Sequence, residues 1–106
     1  MPRGMIGAMA EHEFEAQLWR WDEALDGWFF VTVPAEASDG IRVASGPPRG
    51  FGSVRVEVTV GSTTWRTSVF PDKKSGCFVL PVKQAVRRAE GLDAGDPVAV
   101  ALDVVE

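Results

Sequence analysis

Alternation of apolar and polar residues runs through most of the chain and predicts β-strands. It is clearest in SVRVEVTV, residues 53–60, where every second residue is valine and the residues between are polar or charged. Because successive side chains of a strand point to opposite faces, these valines share one face. Gly-Ser follows, which is typical of a hairpin turn, and TTWRTSVF is the predicted return strand. EFEAQLW, residues 13–19, and PVAVALDVV, residues 97–105, show the same alternation.

Two further stretches, WFFVTV at residues 28–33 and CFVLP at residues 77–81, are continuously apolar and rich in β-branched and aromatic residues. They predict strands that are buried on both faces. Each reaches a proline and is followed by a short helical pattern, so the two segments echo one another. A match this short arises easily by chance.

Both predicted helices are short. The first, PAEASDGIRVA, begins at Pro34 and is limited by Gly40 and Gly46. The second, VKQAVRRAEG, ends at Gly91 and places Lys83 and Arg87 one turn apart on its outer face. Its apolar stripe, at the spacing of one helix face, consists of Val82, Ala85, Val86 and Ala89.

These elements predict a mainly β fold: a small closed or nearly closed antiparallel β-barrel of six or seven strands with two short helices. A single open sheet would leave one face of the doubly apolar strands in water, whereas closure buries that face and removes the edges. The chain of 106 residues fits one domain. We expect a disordered leader at residues 1–12 and the barrel at residues 13–106.

A resemblance to a known family covers nearly the whole chain, from about residue 13 to 105. The segments LWRWD, GWFFVTVP, GFGSVRVEVTVG, TTWRTSVFPDKKSGCFVLPVKQAVRRAEGL and GDPVAVAL together resemble family 1905 of the bacterial domains of unknown function. The resemblance implies a small closed β-barrel, which in some members is fused to a segment similar to YdeI/OmpD-associated proteins. We expect no such second domain here. The family has no agreed activity or catalytic residues, so it implies no site residue.

Composition and charge narrow the possible partners. Apolar residues make up 45% of the chain, and no run approaches a membrane span, so we place the protein in the cytoplasm. The net charge of −4 disfavours nucleic-acid binding. The charge is unevenly distributed, however, at −6 over residues 1–41, +7 over residues 42–88 and −5 over residues 89–106. This asymmetry indicates a polarised surface.

Catalytic and metal chemistry have little support in the sequence. Cys77 is the only cysteine and His12 the only histidine, so a cysteine nucleophile has no evident histidine partner and the common zinc sites cannot form. We interpret Cys77 as an inert, buried residue. We predict no metal and no cofactor.

The tryptophans are the first candidate for binding. The chain has four and no tyrosine. Trp19 and Trp21 fall on the strand face opposite Leu18, so either the strand bulges or that second face is also covered. With arginines between them, the indoles could line a pocket for an aromatic or anionic ligand. The alternative is that they fill the barrel interior.

The second candidate is a set of basic residues, namely Arg55, Arg66, Lys83 and Arg87. Arg55 and Arg66 lie on adjacent strands of the predicted hairpin, and two neighbouring guanidinium groups suit a carboxylate or a phosphate. Alternatively each pairs with an acid such as Glu57, and the face is only solvated.

We therefore predict a binding module for a small organic anion or a protein partner, either a monomer or a homodimer. The ligand would lie at the barrel mouth, between the tryptophans and the hairpin that carries Arg55 and Arg66. The predicted ligand-binding residues are Trp19, Trp21, Trp65, Arg55, Arg66, Lys83 and Arg87.

Two alternatives stay open. A small enzyme of the isomerase or cyclase type would need a carboxylate inside the barrel, for which Glu57 and Asp103 are the candidates. A DNA-binding dimer is suggested by FVLPVKQAVRRAEGLDAGDPVAV, which is similar to AbrB-type swapped-hairpin proteins. It would present Arg87 and Arg88 as one basic patch.

Overall fold

The computed structural model describes residues 10–21, 28–46 and 52–105. Its helices are α1 (Ala35–Ser45) and α2 (Gln84–Glu90), and neither is long and apolar enough to cross a membrane. Its strands are β1 (His12–Trp21), β2 (Trp28–Thr32), β3 (Val54–Val60), β4 (Thr63–Pro71), β5 (Phe78–Pro81) and β6 (Pro97–Val104).

The six strands form a closed barrel in the order β1-β2-β5-β4-β3-β6, and all neighbouring pairs are antiparallel. This confirms the predicted fold class. Strand β1 begins at His12, one residue before the expected start of the barrel. Glu11 is already held, because its backbone N–H donates to Asp103 Oδ1 at 2.8 Å. Residues 1–9 of the expected leader lie outside the described residues.

Aliphatic side chains fill the lumen. The four valines of β3 are buried, and so are the alternate residues Val98, Val100 and Leu102 of the neighbouring β6. Leu18, Val31 and Leu80 complete the packing from β1, β2 and β5. The prediction that residues 28–33 are buried on both faces is wrong, because Trp28 is exposed and Phe30 is only half-buried.

The barrel has an internal pseudo-two-fold symmetry. The ring order is unchanged when β1, β2 and β3 are exchanged with β4, β5 and β6, and each half is a β-β-α-β unit. The axis passes through the paired residues Val31 and Leu80. Matching bonds flank it: Val33 N–H donates to Phe78 O at 2.8 Å, and Val82 N–H donates to Phe29 O at 3.0 Å. The echo in the sequence thus corresponds to a real repetition of structure.

Helix α1 closes one end of the barrel through a buried serine. Ser38 is fully buried, its hydroxyl donates to Val33 O at 3.0 Å, and its Oγ accepts from Phe78 N–H at 3.0 Å. Gly40 does not limit this helix, as the sequence suggested, because α1 continues to Ser45. A Cβ at Gly40 would lie 2.6 Å from His12 Cε1, so glycine is used here for close packing against β1.

Helix α2 packs over the opposite end, but not through the predicted apolar stripe. Val82 and Val86 are buried, whereas Ala85 and Ala89 are exposed, and Val82 precedes the helix. The helix is instead fixed at its end by Glu90. The Glu90 carboxylate accepts hydrogen bonds from Thr63 Oγ1 at 2.6 Å and from the backbone N–H of Ser62 at 3.3 Å.

We expect Ser38→Ala to lower the free energy of unfolding by about 1–3 kcal/mol, because the buried N–H of Phe78 loses its acceptor. Ser45→Ala is the matched control, since Ser45 lies on the same helix and its hydroxyl makes only an exposed contact with Arg42 O at 3.3 Å. Urea unfolding of both variants measures the difference. Equal stabilities would contradict a structural role for the Ser38 bonds.

Gly61→Ala should destabilise the protein more than Gly91→Ala. The two glycines have similar positive φ angles, 60° and 64°, so alanine costs about 1 kcal/mol at each. A Cβ at Gly61 would in addition collide with the Glu90 carboxylate, whereas nothing lies within 4 Å of one at Gly91. Thermal unfolding with and without Glu90→Ala isolates this term. The excess cost at Gly61 should vanish in the Glu90→Ala background, and its persistence there would refute the collision.

Candidate ligand-binding groove

The barrel wall opens where β5 ends. Strand β4 pairs with β3 at seven positions, but within the described residues it pairs with β5 only at Phe70 and Pro71. Strand β5 stops at Pro81, which has no N–H to continue the ladder, and the chain then turns into α2. At residues 65–67, the edge of β4 that does not pair with β3 therefore faces the start of α2 instead of a neighbouring strand.

A groove of about 350 Å³ occupies this opening. That volume lies at the lower end of the range for small-molecule sites. It is called the basic groove below, and its lining residues are Trp28, Phe29, Trp65, Arg66, Thr67, Pro81, Val82, Lys83, Gln84 and Arg87.

Arg87 is the most firmly held cation of the basic groove. Its guanidinium carbon lies 3.8 Å from the centroid of the Phe29 ring, and its Nε–H donates to Val82 O at 3.2 Å. Both contacts fix the plane of the guanidinium group, and a fixed guanidinium loses less entropy when it binds an anion. The sequence placed Arg87 on the outer face of the helix, but the side chain is half-buried because it turns inward over Phe29.

Two further cations line the basic groove with little or no compensation. Arg66 has Glu57 Oε1 at 4.0 Å, the limit of an ion pair, and its side chain is 63% exposed. Lys83 is exposed at the start of α2. Among the described residues the only other ion pair joins Arg42 to Asp39, so neither Lys83 nor Arg87 has a carboxylate partner in that part of the chain.

Aromatic rings supply the other lining of the basic groove. Trp65 is half-buried and packs against the barrel core, whereas Trp28 is 54% exposed at the rim. The Trp28 ring is nevertheless positioned, because it stacks on Phe30 with centroids 6.3 Å apart and 16° between the planes. A flat ligand ring could bury part of the exposed Trp28 surface.

The basic groove brings together four of the seven predicted ligand-binding residues, namely Trp65, Arg66, Lys83 and Arg87. Arg55 is exposed on the outer face of β3 and is displaced from Arg66 by two positions, because it pairs with Ser68 while Arg66 pairs with Glu57. It does not line the groove.

Trp19 and Trp21 also lie elsewhere, on the outside of the barrel. Both are exposed and pack around Phe30, with ring centroids 5.1 Å and 6.4 Å from it. The Trp19 indole N–H donates to Thr32 Oγ1 at 3.0 Å. The alternative that indoles fill the barrel interior is therefore wrong for Trp19, Trp21 and Trp28.

Six of the ten lining residues were not among the predicted ligand-binding residues, namely Trp28, Phe29, Thr67, Pro81, Val82 and Gln84. Gln84 could have been predicted, because it directly follows the predicted residue Lys83 in the sequence. The position of Trp28 and Phe29 depends on β2 lying beside β5, which no local pattern reveals. Once that pairing is known, the bond from Val82 to Phe29 places them at the start of α2.

The pseudo-two-fold symmetry allows the two helical ends to be compared residue by residue. Counting from the axis pair Val31 and Leu80, Ser38 corresponds to Arg87 and Pro34 to Lys83. Strand pairing likewise relates Trp19 to Phe70, which makes Glu15 the counterpart of Arg66. The α1 end thus has a small buried serine, a proline and an acid where the α2 end has three cations.

Comparison with models of known protein families identifies the family of the chain. The model of the family described as "Domain of unknown function (DUF1905)" matches residues 14–102, which is most of the chain. The chain belongs to the DUF1905 family. A search of curated proteins found no match.

The two carboxylates named for an enzyme do not point into the lumen of this DUF1905 barrel. Glu57 and Asp103 are paired across β3 and β6, and both alternate with buried, inward-facing residues, so they lie on the outer face. Neither Glu57 nor Asp103 therefore supplies the carboxylate inside the barrel that the enzyme alternative would need. Arg88 is exposed, whereas Arg87 is half-buried, so the two do not form an equally accessible pair for DNA.

Arg87→Gln should lower the free energy of unfolding by about 1 kcal/mol, since the cation–π contact with Phe29 and the bond to Val82 O are lost. Arg88→Gln, one residue further along the exposed side of α2, should have no measurable effect. Urea denaturation compares the two variants. An unchanged free energy of unfolding in Arg87→Gln would mean that the guanidinium does not contribute to the packing of Phe29.

Proposed function

We propose that this DUF1905 domain binds a small organic anion with an aromatic part in the basic groove. One observation carries the proposal: Arg66, Lys83 and Arg87 line the same groove as Trp28 and Trp65, and none of the ten described lining residues is acidic. Like charges brought together without compensation repel one another. A bound anion removes that cost.

The cations differ in how they contribute. Arg87 is held by Phe29 and Val82, so it presents its remaining N–H donors in a fixed orientation that suits a carboxylate, sulfate or phosphate group. Lys83 and Arg66 are more exposed and act over a longer range. They raise the local concentration of anions and complete the charge balance once a ligand is bound.

The aromatic residues favour a ligand with a ring over a simple inorganic ion. Trp28 exposes about half of its surface at the rim although it is held by Phe30. Burying aromatic surface against a positioned indole stabilises a complex by the hydrophobic effect, and stacked rings add about 0.5–1.5 kcal/mol. An aromatic anion can contact both the cations and the aromatic rings that line the groove.

The comparison of the two barrel ends supports the same conclusion. Packing does not require cations at these positions, because the α1 end is closed with Ser38, Pro34 and Glu15 at the corresponding places. The positive charge of Lys83 and Arg66 is thus separate from the needs of the fold, whereas Arg87 also packs on Phe29.

Nuclear magnetic resonance of the four tryptophan indole N–H groups tests the proposal. Benzoate, phenyl sulfate and phenyl phosphate serve as anionic probes, and benzamide is the neutral control. We expect anions to shift the signals of Trp28 and Trp65 and to leave those of Trp19 and Trp21 in place. Single Trp→Phe variants assign the four signals.

Lys83→Ala and Arg66→Ala should each weaken binding of the anionic probes about five-fold, corresponding to roughly 1 kcal/mol per exposed charge. Arg88→Ala removes the same charge outside the groove and should leave Kd unchanged. The proposal fails if no anion shifts Trp28 or Trp65 at millimolar concentration. It also fails if Arg88→Ala weakens binding as much as Lys83→Ala does.

A further inference from the structure

The number of cations in the basic groove bears on the charge of the ligand. Arg66, Lys83 and Arg87 contribute three positive charges, and among the described residues the only ion pair that any of them makes is that of Arg66 with Glu57, at 4.0 Å. With Glu57 counted the three cations leave a net charge of +2, so a monoanion would leave one positive charge unbalanced, whereas a dianion would balance the groove. Phosphate monoesters carry a charge of about −1.5 to −2 near neutral pH, and carboxylates and sulfate esters carry −1.

The arrangement of the cations agrees with a phosphate group. Lys83 immediately precedes α2, Arg87 lies in the helix four residues later, and Arg66 lies across the opening on β4. Donors thus approach the space between them from two sides, and a tetrahedral group with three terminal oxygens can accept from both sides at once. A planar carboxylate has two oxygens in one plane and suits a single guanidinium fork.

We infer that the ligand of the basic groove is a phosphate monoester carrying an aromatic ring or base, with the phosphate between Arg87, Lys83 and Arg66 and the ring against Trp28 or Trp65. This inference rests on the proposed function and specifies the class of anion. The shared chemistry covers aryl phosphates and nucleoside monophosphates.

Phenyl phosphate and phenyl sulfate test the inference, because they have nearly the same shape and differ by one charge. At about pH 7.5 we expect phenyl phosphate to bind about ten-fold more tightly, which corresponds to about 1.4 kcal/mol. Lys83→Ala should reduce this preference, and Arg88→Ala should leave it unchanged. The readout is the same set of indole signals from Trp28 and Trp65.

The pH dependence gives an independent readout. The second ionisation of a phosphate monoester lies near pH 6, so the dianion falls to roughly a tenth at about pH 5. Because the remaining monoanion should bind about as weakly as phenyl sulfate, the affinity for phenyl phosphate should fall about five-fold. The affinity for phenyl sulfate should stay constant. The charged groups that face the phosphate are Arg66, Lys83 and Arg87, with Glu57 behind Arg66 and Arg20 across from Phe29 in the β1–β2 pairing. None of them is a histidine, the side chain that ordinarily titrates in this range.

The outcomes separate the two levels of the proposal. Equal and pH-independent binding of phenyl phosphate and phenyl sulfate overturns the inference of a dianion while anion binding stands. Absence of binding by both overturns the proposed function and this inference together. Adenosine monophosphate, titrated in parallel, identifies the source of the phosphate: tighter binding than phenyl phosphate indicates a nucleotide, weaker binding indicates an aryl phosphate, and both results support a phosphate monoester.

Discussion

The hydrogen-bonded wall of this barrel has to close with two strands that are much shorter than their neighbours. Strand β2 has five residues and β5 has four, whereas β1 has ten and β4 has nine. A ring of unequal strands cannot be paired along its whole height, so its wall opens where each short strand stops. Pro34 and Pro81 lie at these two points. Proline ends a ladder because it lacks an N–H, and a helix follows each opening.

Different side chains occupy the two openings, although the two halves of the barrel have nearly the same backbone arrangement. At the α1 end a hydroxyl small enough to be buried connects Val33 O with Phe78 N–H, so polar backbone groups on both sides of the opening are paired. At the α2 end the corresponding residue is Arg87, whose side chain also bonds the equivalent carbonyl, that of Val82. A guanidinium is too large and too well hydrated to be enclosed in the same space. It therefore lies over Phe29 with part of its surface facing the groove.

Much of the fold can be read from alternation alone. The valines of β3 and the apolar positions of β6 specify a buried face. The apolar runs at residues 28–33 and 77–81 pointed correctly to a barrel, although burial of both faces, on which that prediction relied, is wrong for residues 28–33. Alternation does not say how far along a strand the lumen extends. Trp19 and Trp21 were correctly separated from the face of Leu18, but whether that second face was covered depended on β2 placing Phe30 beside them. Gly40 was wrongly predicted to limit α1. Glycine is needed there because the His12 side chain of β1 packs against it, and a contact with so distant a residue is not visible in the local sequence.

The candidate site was partly predictable for a related reason. Residues 82–87 are contiguous, so Lys83 and Arg87 could be grouped from sequence, and the hairpin suggested Arg66. What the sequence could not give is the partner across the opening. Phe29 meets Arg87 only because β2 and β5 pair about the two-fold axis, and Arg55, on the same hairpin as Arg66, is excluded from the groove by a shift of two positions in the register. Long-range pairing decides the membership of the site, and single-sequence patterns do not encode it.

Placing the groove in the wall separates binding from stability in a useful way. The lumen is occupied by aliphatic side chains that the fold requires, so a ligand site there could change only at a cost to packing. Lys83 and Arg66 lie outside that core, and their substitution alters the charge of the groove while leaving the lumen intact. Arg87 is the exception, because the same guanidinium packs on Phe29 and faces the groove. Substitutions at positions 66 and 83 are therefore those that change the preferred charge of the ligand at the least cost to stability. Arg87 would be retained in such variants, because the barrel itself holds it in position.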